Sequence, residues 1–578
     1  MVRRLRQHAH ALYRELTPVE RALVLGVVLL HGFGLWWGLP ASEGWDVDGI
    51  APRDFLPGVA KTFTPGDYFT YPPLHLLLLS LLTLPITLVQ VARAPSLSPA
   101  DLVTAFIDVR VMTAFAVVAR LVNLVMSVGI VVVMSKLAEL AFGRRARAWT
   151  LAFAGVEAAC TYYGHTSNLD VPAFFWASLA LLALARAAEA DAPRDLRKVG
   201  VLAAMAIATK DQAYAVFAVS MPVALGAWLV TRMRRGSGAG ELAKEVVRLG
   251  LVTPALVLVL DGALFNPKGF AARVRFLTGH ASQDFAQYAN DAKGRLAALS
   301  DAVTFLPNHY PAAVGGLFLV GLAFALRGAP EARANRRLVA LVPALGMLSF
   351  TLAFNCVARR VEERFMLPQM QLLAVYAGGA VAALLGSAEG KPRALRALVL
   401  GVAGILLVLG LRVSLTVLVN MLEDPRYIAE RWLRENTKPG DVVETYGGNV
   451  YLPRFPSWVT VQRIGPTPPK SRNPMPDIVE KQDAYGNVLA RSPRAIVVSQ
   501  CFAWRYRQAA RAEDAGRIMP EAQRDALGDA DATAHFRALF EGTSPYKLAY
   551  VAFYDESKLF PRRLLHGSLG CEVFLFSR

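Results

Sequence analysis

At 578 residues, with 54% hydrophobic and 19% charged side chains and a mean hydropathy of +0.36, the chain is too apolar for an ordinary soluble enzyme and too long for one domain. A net charge of +17 invites a nucleic-acid reading, but the basic residues gather in short loops between apolar runs, the pattern of cytoplasmic loops in a membrane protein, so no nucleic acid is expected. The composition thus points to a polytopic α-helical membrane protein in contact with membrane lipids.

In chain order, the run at 22–40 reads as a retained helix rather than a cleaved signal peptide, because spanning segments continue after it. Further runs lie at 110–142, 148–164, 171–187, 199–209, 213–231, 246–264, 311–327, 338–355, 367–386 and 397–419, giving about eleven crossings. Basic loops at 3–21, 144–147, 186–198, 232–236, 327–337 and 391–396 set the cytoplasmic side. The run "YPPLHLLLLSLLTLPITLVQVA" at 71–92 breaks the parity if it crosses once, so it reads as juxtamembrane helices interrupted by Pro72, Pro73 and Pro85, with a hairpin as the alternative. After about residue 420 the apolar runs shorten to 441–447, 457–464, 494–502, 546–554 and 571–577, which read as strands, with helices between them at 427–436 and 532–542. The expected organisation is a membrane module over 1–419 and an extracytoplasmic α/β domain over 420–578. No Walker A or nucleotide-binding glycine pattern is present, so no nucleotide cofactor is expected. Cys501 and Cys571 both fall in the outer domain, where a disulfide between them is expected.

Four stretches on the outer face carry candidate chemistry. In "EGWDVDGIAPRDF" at 43–55, Asp46 and Asp48 stand between Gly44, Trp45 and Gly49; either can serve as a general base, ligate a divalent cation, or be a solvated loop acid. "YYGHTSNLD" places His165 and Asp170 at a helix turn, where Asp170 also reads as a helix cap before Pro172. "TKDQ" sets Lys210 within apolar sequence, facing an anion or paired with Asp211. "VARRVEERFMLPQ" holds Arg359, Arg360 and Arg364 where basic residues are disfavoured, suited to phosphate oxygens or to pairing with Glu362 and Glu363.

The order of these pieces resembles the GT-C superfamily of polyprenyl-phosphate-sugar-dependent glycosyltransferases, in particular the bacterial branch related to protein O-mannosyltransferases and the lipid A aminoarabinose transferase. The acidic first loop, "YPPLHLLLLSLL", "YYGHTSNLDVPAFFWASLALL", "ATKDQAYAVF" and "ERFMLPQMQLL" follow one another over about residues 20–385 as in that family. The resemblance implies a GT-C fold and an inverting hexosyl or pentosyl transfer from a polyprenyl-phosphate-linked sugar to a lipid, glycan or protein acceptor. It places the site and the C-terminal domain outside a bacterial inner membrane. It also implies Asp48 as first choice for the base and Asp46 as second, Asp170 and His165 in support of the acceptor or a metal, and Lys210, Arg364 and Arg360 on the donor phosphate. Asp48-Gly49 stands where many relatives have Asp-Glu, and Phe365 where they have Tyr, which leaves the choice of Asp and metal dependence open. The competing function is a transporter or flippase of a lipid-linked glycan.

Overall fold

In the computed structural model, residues 14–41, 43–67, 71–236, 238–327, 335–390, 392–469, 477–507, 516–554, 559–560 and 568–578 are described. The N-terminal two thirds is a bundle of helices that includes α1 (Pro18–Gly32), α2 (Val109–Phe142), α3 (Ala146–Gly155), α4 (Ala158–Gly164), α5 (Asp170–Glu189), α6 (Leu196–Ile207), α7 (Leu367–Ser387) and α8 (Arg393–Leu422). Small residues let these helices close on one another. A Cβ on Gly378 of α7 would lie 2.2 Å from the Thr150 hydroxyl of α3, so only glycine permits that approach.

Six described helical stretches are long and apolar enough to cross a membrane, and eight if two bent pairs each count as one span. About eleven are expected from the sequence; the shortfall comes from short helices and, at 246–264, from the 22-residue helix Ala239–Leu260, which carries Lys244, Glu245 and Arg248. The run expected at 22–40 gives the 15-residue α1, and that at 199–209 gives the 12-residue α6. The run at 148–164 breaks into α3 and α4 because Glu157 caps the second piece, its carboxylate accepting from Ala159 N at 2.9 Å and Cys160 N at 2.7 Å. The Tyr71–Ala92 run is two helices, Leu74–Leu82 and Leu84–Arg93, bent by 61° at Thr83 beside Pro85.

After α8, the helix α9 (Pro425–Asn436) leads into a six-stranded sheet of β1 (Val442–Tyr446), β2 (Thr460–Gly465), β3 (Val479–Gln482), β4 (Ala495–Ser499), β5 (Lys547–Ala552) and β6 (Val573–Ser577). The strand order is β3-β2-β1-β4-β6-β5, with β1 to β4 parallel and β6 antiparallel to both β4 and β5. The buried centre, Val443, Ile496, Val497, Val498, Leu575 and Phe576, explains why β1, β4 and β6 read as apolar runs. The edge strand β3, with sequence VEKQ, lacks that signal. The run expected as a strand over 494–502 ends at Ser499, and helix α10 (Gln500–Arg507) begins there. Cys501 of α10 and Cys571 form a disulfide with Cα atoms 5.6 Å apart, tying α10 to the start of β6.

Candidate active site

Two loops that precede helices are stitched together before any charge is placed. Gly49 and Asn168 form an antiparallel bridge, Ile50 N donates to Ser167 O at 3.2 Å, and the Ser167 hydroxyl donates to Ile50 O at 3.0 Å. Asn123 of α2 donates to Asn168 O at 2.7 Å, fixing the turn from below. The first loop therefore sits directly on the turn that starts α5.

On that platform four of the expected residues form two ion pairs. Lys210 Nζ donates to Asp170 Oδ1 at 2.6 Å, and Arg364 Nη1 pairs with Asp48 Oδ1. Neither the cap for Asp170 nor the Asp211 partner for Lys210 is realised. Asp170 makes no cap hydrogen bond, and Asp211 pairs with Arg273, not with Lys210. Asp170, Lys210 and Arg364 line one pocket of about 20 Å³, closed by Phe174, Phe350 and Pro368, with room for roughly one water. Arg364 also donates through Nε to Glu362 Oε2 at 3.0 Å and lies 4.5 Å over the Phe365 ring. Arg360 is committed to Glu362 Oε1, by Nη2 at 2.6 Å and Nε at 3.1 Å, so pairing with Glu362 holds in full for Arg360 and in part for Arg364. Arg359, at φ 54°, turns away to Gln283 Oε1 and Tyr288 O.

The two first-loop aspartates differ in exposure. Asp46 is 7% exposed and accepts from the Tyr162 hydroxyl at 3.2 Å, whereas the Asp48 side chain is 31% exposed at the rim. Burial, with the neighbouring Asp48 charge, pushes the Asp46 carboxyl up from 3.8 to about 6. The folded chain thus keeps a proton that the unfolded chain has lost, and stability contributed by protonated Asp46 drains away as pH rises from about 4 to about 6. Thermal unfolding in detergent should show Asp46→Asn gaining on the order of 3 kcal/mol over wild type between pH 4 and pH 7. A pH-independent difference would contradict this environment for Asp46.

His165 is fully buried, with Nδ1 2.6 Å from Thr161 O and Nε2 2.6 Å from Phe33 O. Both ring nitrogens are occupied by backbone carbonyls, so its place is between α1 and α4, where it ties their ends together. Among the described residues no three His, Cys, Asp or Glu side chains converge as a metal's ligand set would, and Asp48 and Asp170 are turned to cations. The donor set does not fit a divalent cation in this arrangement, and no step below uses one.

The C-terminal domain grips the same first loop. Trp45 Nε1 donates to Leu452 O at 2.9 Å, the Ser568 hydroxyl donates to Trp45 O at 2.5 Å, and Asn449 donates to Glu43 at 2.8 Å. Arg426 lies 4.3 Å over the Trp45 ring while its fork holds Asp424, by Nε at 2.8 Å and Nη2 at 2.7 Å. Trp37 Nε1 donates to the same carboxylate at 3.1 Å, and Arg454 reaches Leu39 O at 2.7 Å. Arg120 of α2 reaches Leu35 O at 2.5 Å and Trp37 O at 2.7 Å from the membrane side. Sequence reasoning had singled out none of Trp37, Arg120, Asp424 or Arg426. The available signal was an arginine inside an apolar helix for Arg120, and Asp-Pro-Arg at the end of the last apolar run for the pair.

No protein-family model matches the chain, and no curated protein does. Among solved structures, ArnT from Cupriavidus metallidurans in the apo state is 16% identical, with a TM-score of 0.46 over 86% of this chain and 96% of that one. The same protein bound to undecaprenyl phosphate gives 16% and 0.45. The archaeal oligosaccharyltransferase AglB from Archaeoglobus fulgidus, in complex with an inhibitory peptide and a dolichol-phosphate, is 11% identical, with a TM-score of 0.44 over 97% of this chain and 89% of that one.

Proposed function

We propose that the chain is a membrane glycosyltransferase that moves a sugar, with inversion, from a polyprenyl phosphate to a lipid, glycan or protein acceptor. The site lies on the side of the membrane that carries the C-terminal domain, outside the inner membrane of a bacterium. The observation that carries this reading is the pair of ion pairs, Asp48 with Arg364 and Asp170 with Lys210, brought by four separate segments to one platform.

The chemistry follows from their placement. Asp48, at the exposed rim, takes the proton from an acceptor hydroxyl or amine as that atom attacks the anomeric carbon. The bond from that carbon to the phosphate oxygen breaks, and the polyprenyl phosphate leaves with the electron pair. Arg364, with five N–H donors, can hold Asp48 and a phosphate oxygen together, and Lys210 exchanges Asp170 for a second oxygen as charge develops. The pocket of about 20 Å³ must widen to admit that oxygen, and Asp170 is the group that gives way. Asp46 and Asp170 act as positioning residues, and Arg360 holds Glu362 against Arg364.

The transporter reading requires ionisable groups along a path through the membrane. The candidate charges instead gather at one end of the bundle under the sheet domain, which favours the enzyme. Mass spectrometry of cell-envelope lipids and glycoproteins from cells with wild-type or Asp48→Asn protein should show one mass increment of a single sugar that is missing in the variant. Identical profiles would overturn the assignment.

A further inference from the structure

A second, far larger cavity, of about 1070 Å³, opens beside the site between the loop after residue 280, residues 361–362 and the C-terminal domain. Its walls form one connected structure. Gln287 N donates to Arg359 O at 2.9 Å, Ile518 N to Gln287 O at 2.9 Å and Ala289 N to Gly516 O at 2.8 Å, while Arg517 Nη2 pairs with Asp301 Oδ1 at 2.6 Å. Helix α10 forms a further wall, anchored through the Cys501–Cys571 disulfide three residues before Trp504.

We infer that this cavity is the acceptor site and that it takes a carbohydrate chain. The inference rests on the transferase reading for the word acceptor. Three features carry it. First, Glu362 lines the cavity and its carboxylate holds Arg364, whose other arm holds Asp48, so Glu362 and Arg364 connect an occupant to the base. Second, the volume matches the upper end of small-ligand pockets, roughly 300–1,000 Å³, which suits several sugar rings and is too small for a folded partner. Third, Phe285 and Trp504 line it while 53% and 37% exposed, beside Glu362, Arg505 and Gln523. Flat apolar faces next to charged and amide groups suit the C–H faces and hydroxyls of a pyranose. An acyl chain would set apolar surface against the Gln523 amide and the charged Glu362 and Arg505 groups, to which saccharide hydroxyls can bond. Arg360, 5.1 Å over the Phe285 ring and bonded to Glu362, couples the aromatic wall to the ion-pair cluster.

The test uses the full chain in nanodiscs and saturation-transfer NMR with three soluble probes, maltotetraose, mannotetraose and chitotetraose. Saturation should reach at least one of them. Its Kd should rise at least tenfold in Trp504→Ala and in Gln523→Leu, remain close to wild type in Trp504→Phe, and persist in Asp48→Asn. No transfer to any saccharide, an unchanged Kd in Trp504→Ala, or, with a serine- and threonine-rich peptide added as a fourth probe, signal from that peptide only would overturn the inference. Measuring sugar transfer on the same preparations separates the two proposals. Saccharide binding without any transfer keeps a carbohydrate site and removes the transferase. Transfer with binding indifferent to Trp504→Ala keeps the transferase and removes this site.

Discussion

Asp48→Asn should lower kcat for sugar transfer by about 10³-fold or more while the protein still purifies as a folded monodisperse species. Loss of a positioned general base removes about 10²–10⁴ in rate, and an amide in its place cannot take the acceptor proton. The amide also leaves Arg364 paired with Glu362, so donor affinity shifts less than turnover does. Asp46→Asn should be milder, within about tenfold, since Asp46 is buried against Tyr162 and acts through the loop. Single-turnover kinetics with a radiolabelled donor measures both. Full activity in both variants would remove the base assignment from this loop, and a larger effect at Asp46 would exchange the two roles.

Arg426→Met should lower the stability of the protein by about 3–5 kcal/mol, because it strands the buried Asp424 carboxylate with Trp37 as its remaining side-chain donor. The same change removes the cation from the face of Trp45, the residue through which the C-terminal domain holds the base-bearing loop. Activity should therefore fall at temperatures well below unfolding. The double variant Arg426→Met with Asp424→Asn should recover much of the stability, since no bare charge remains, without recovering all of the activity. Differential scanning of both variants with transfer assayed at 20 °C below each midpoint separates the two effects. Unchanged activity in the single variant would show that the domain does not position the loop.

These two expectations also mark what the chain discloses on reading. Asp48 stood out because four carboxylates within thirteen residues of a basic chain are conspicuous, and because the motifs that follow it come in a recognisable order. The strands β1, β4 and β6 were visible since buried parallel and central strands are continuous apolar runs, whereas the polar edge strand β3 was not. Partner choice was the part that could not be read. Lys210 and Asp170 are 40 residues apart and meet because α5 and the end of α6 pack together, while the sequence offered the adjacent Asp211 for one and a cap for the other. Glu157 breaks what looks like one span, since its carboxylate serves backbone groups and His309 Nδ1 at 2.6 Å, from the short helix Leu306–His309, 152 residues away. Arg426 and Trp45 are distant in the chain, and their contact follows only from where the sheet domain docks.

The central claim is that a bond between sugar and lipid phosphate is broken on this platform. The direct measurement is to incubate purified protein in nanodiscs with a polyprenyl-phosphate-linked sugar and envelope extract as acceptor, and to follow free polyprenyl phosphate by mass spectrometry. Wild-type protein should release polyprenyl phosphate in step with sugar appearing on the acceptor with inverted anomeric configuration, and Asp48→Asn should release none above background. Movement of the intact lipid-linked sugar between leaflets, with no polyprenyl phosphate formed, would contradict the account and identify a transporter.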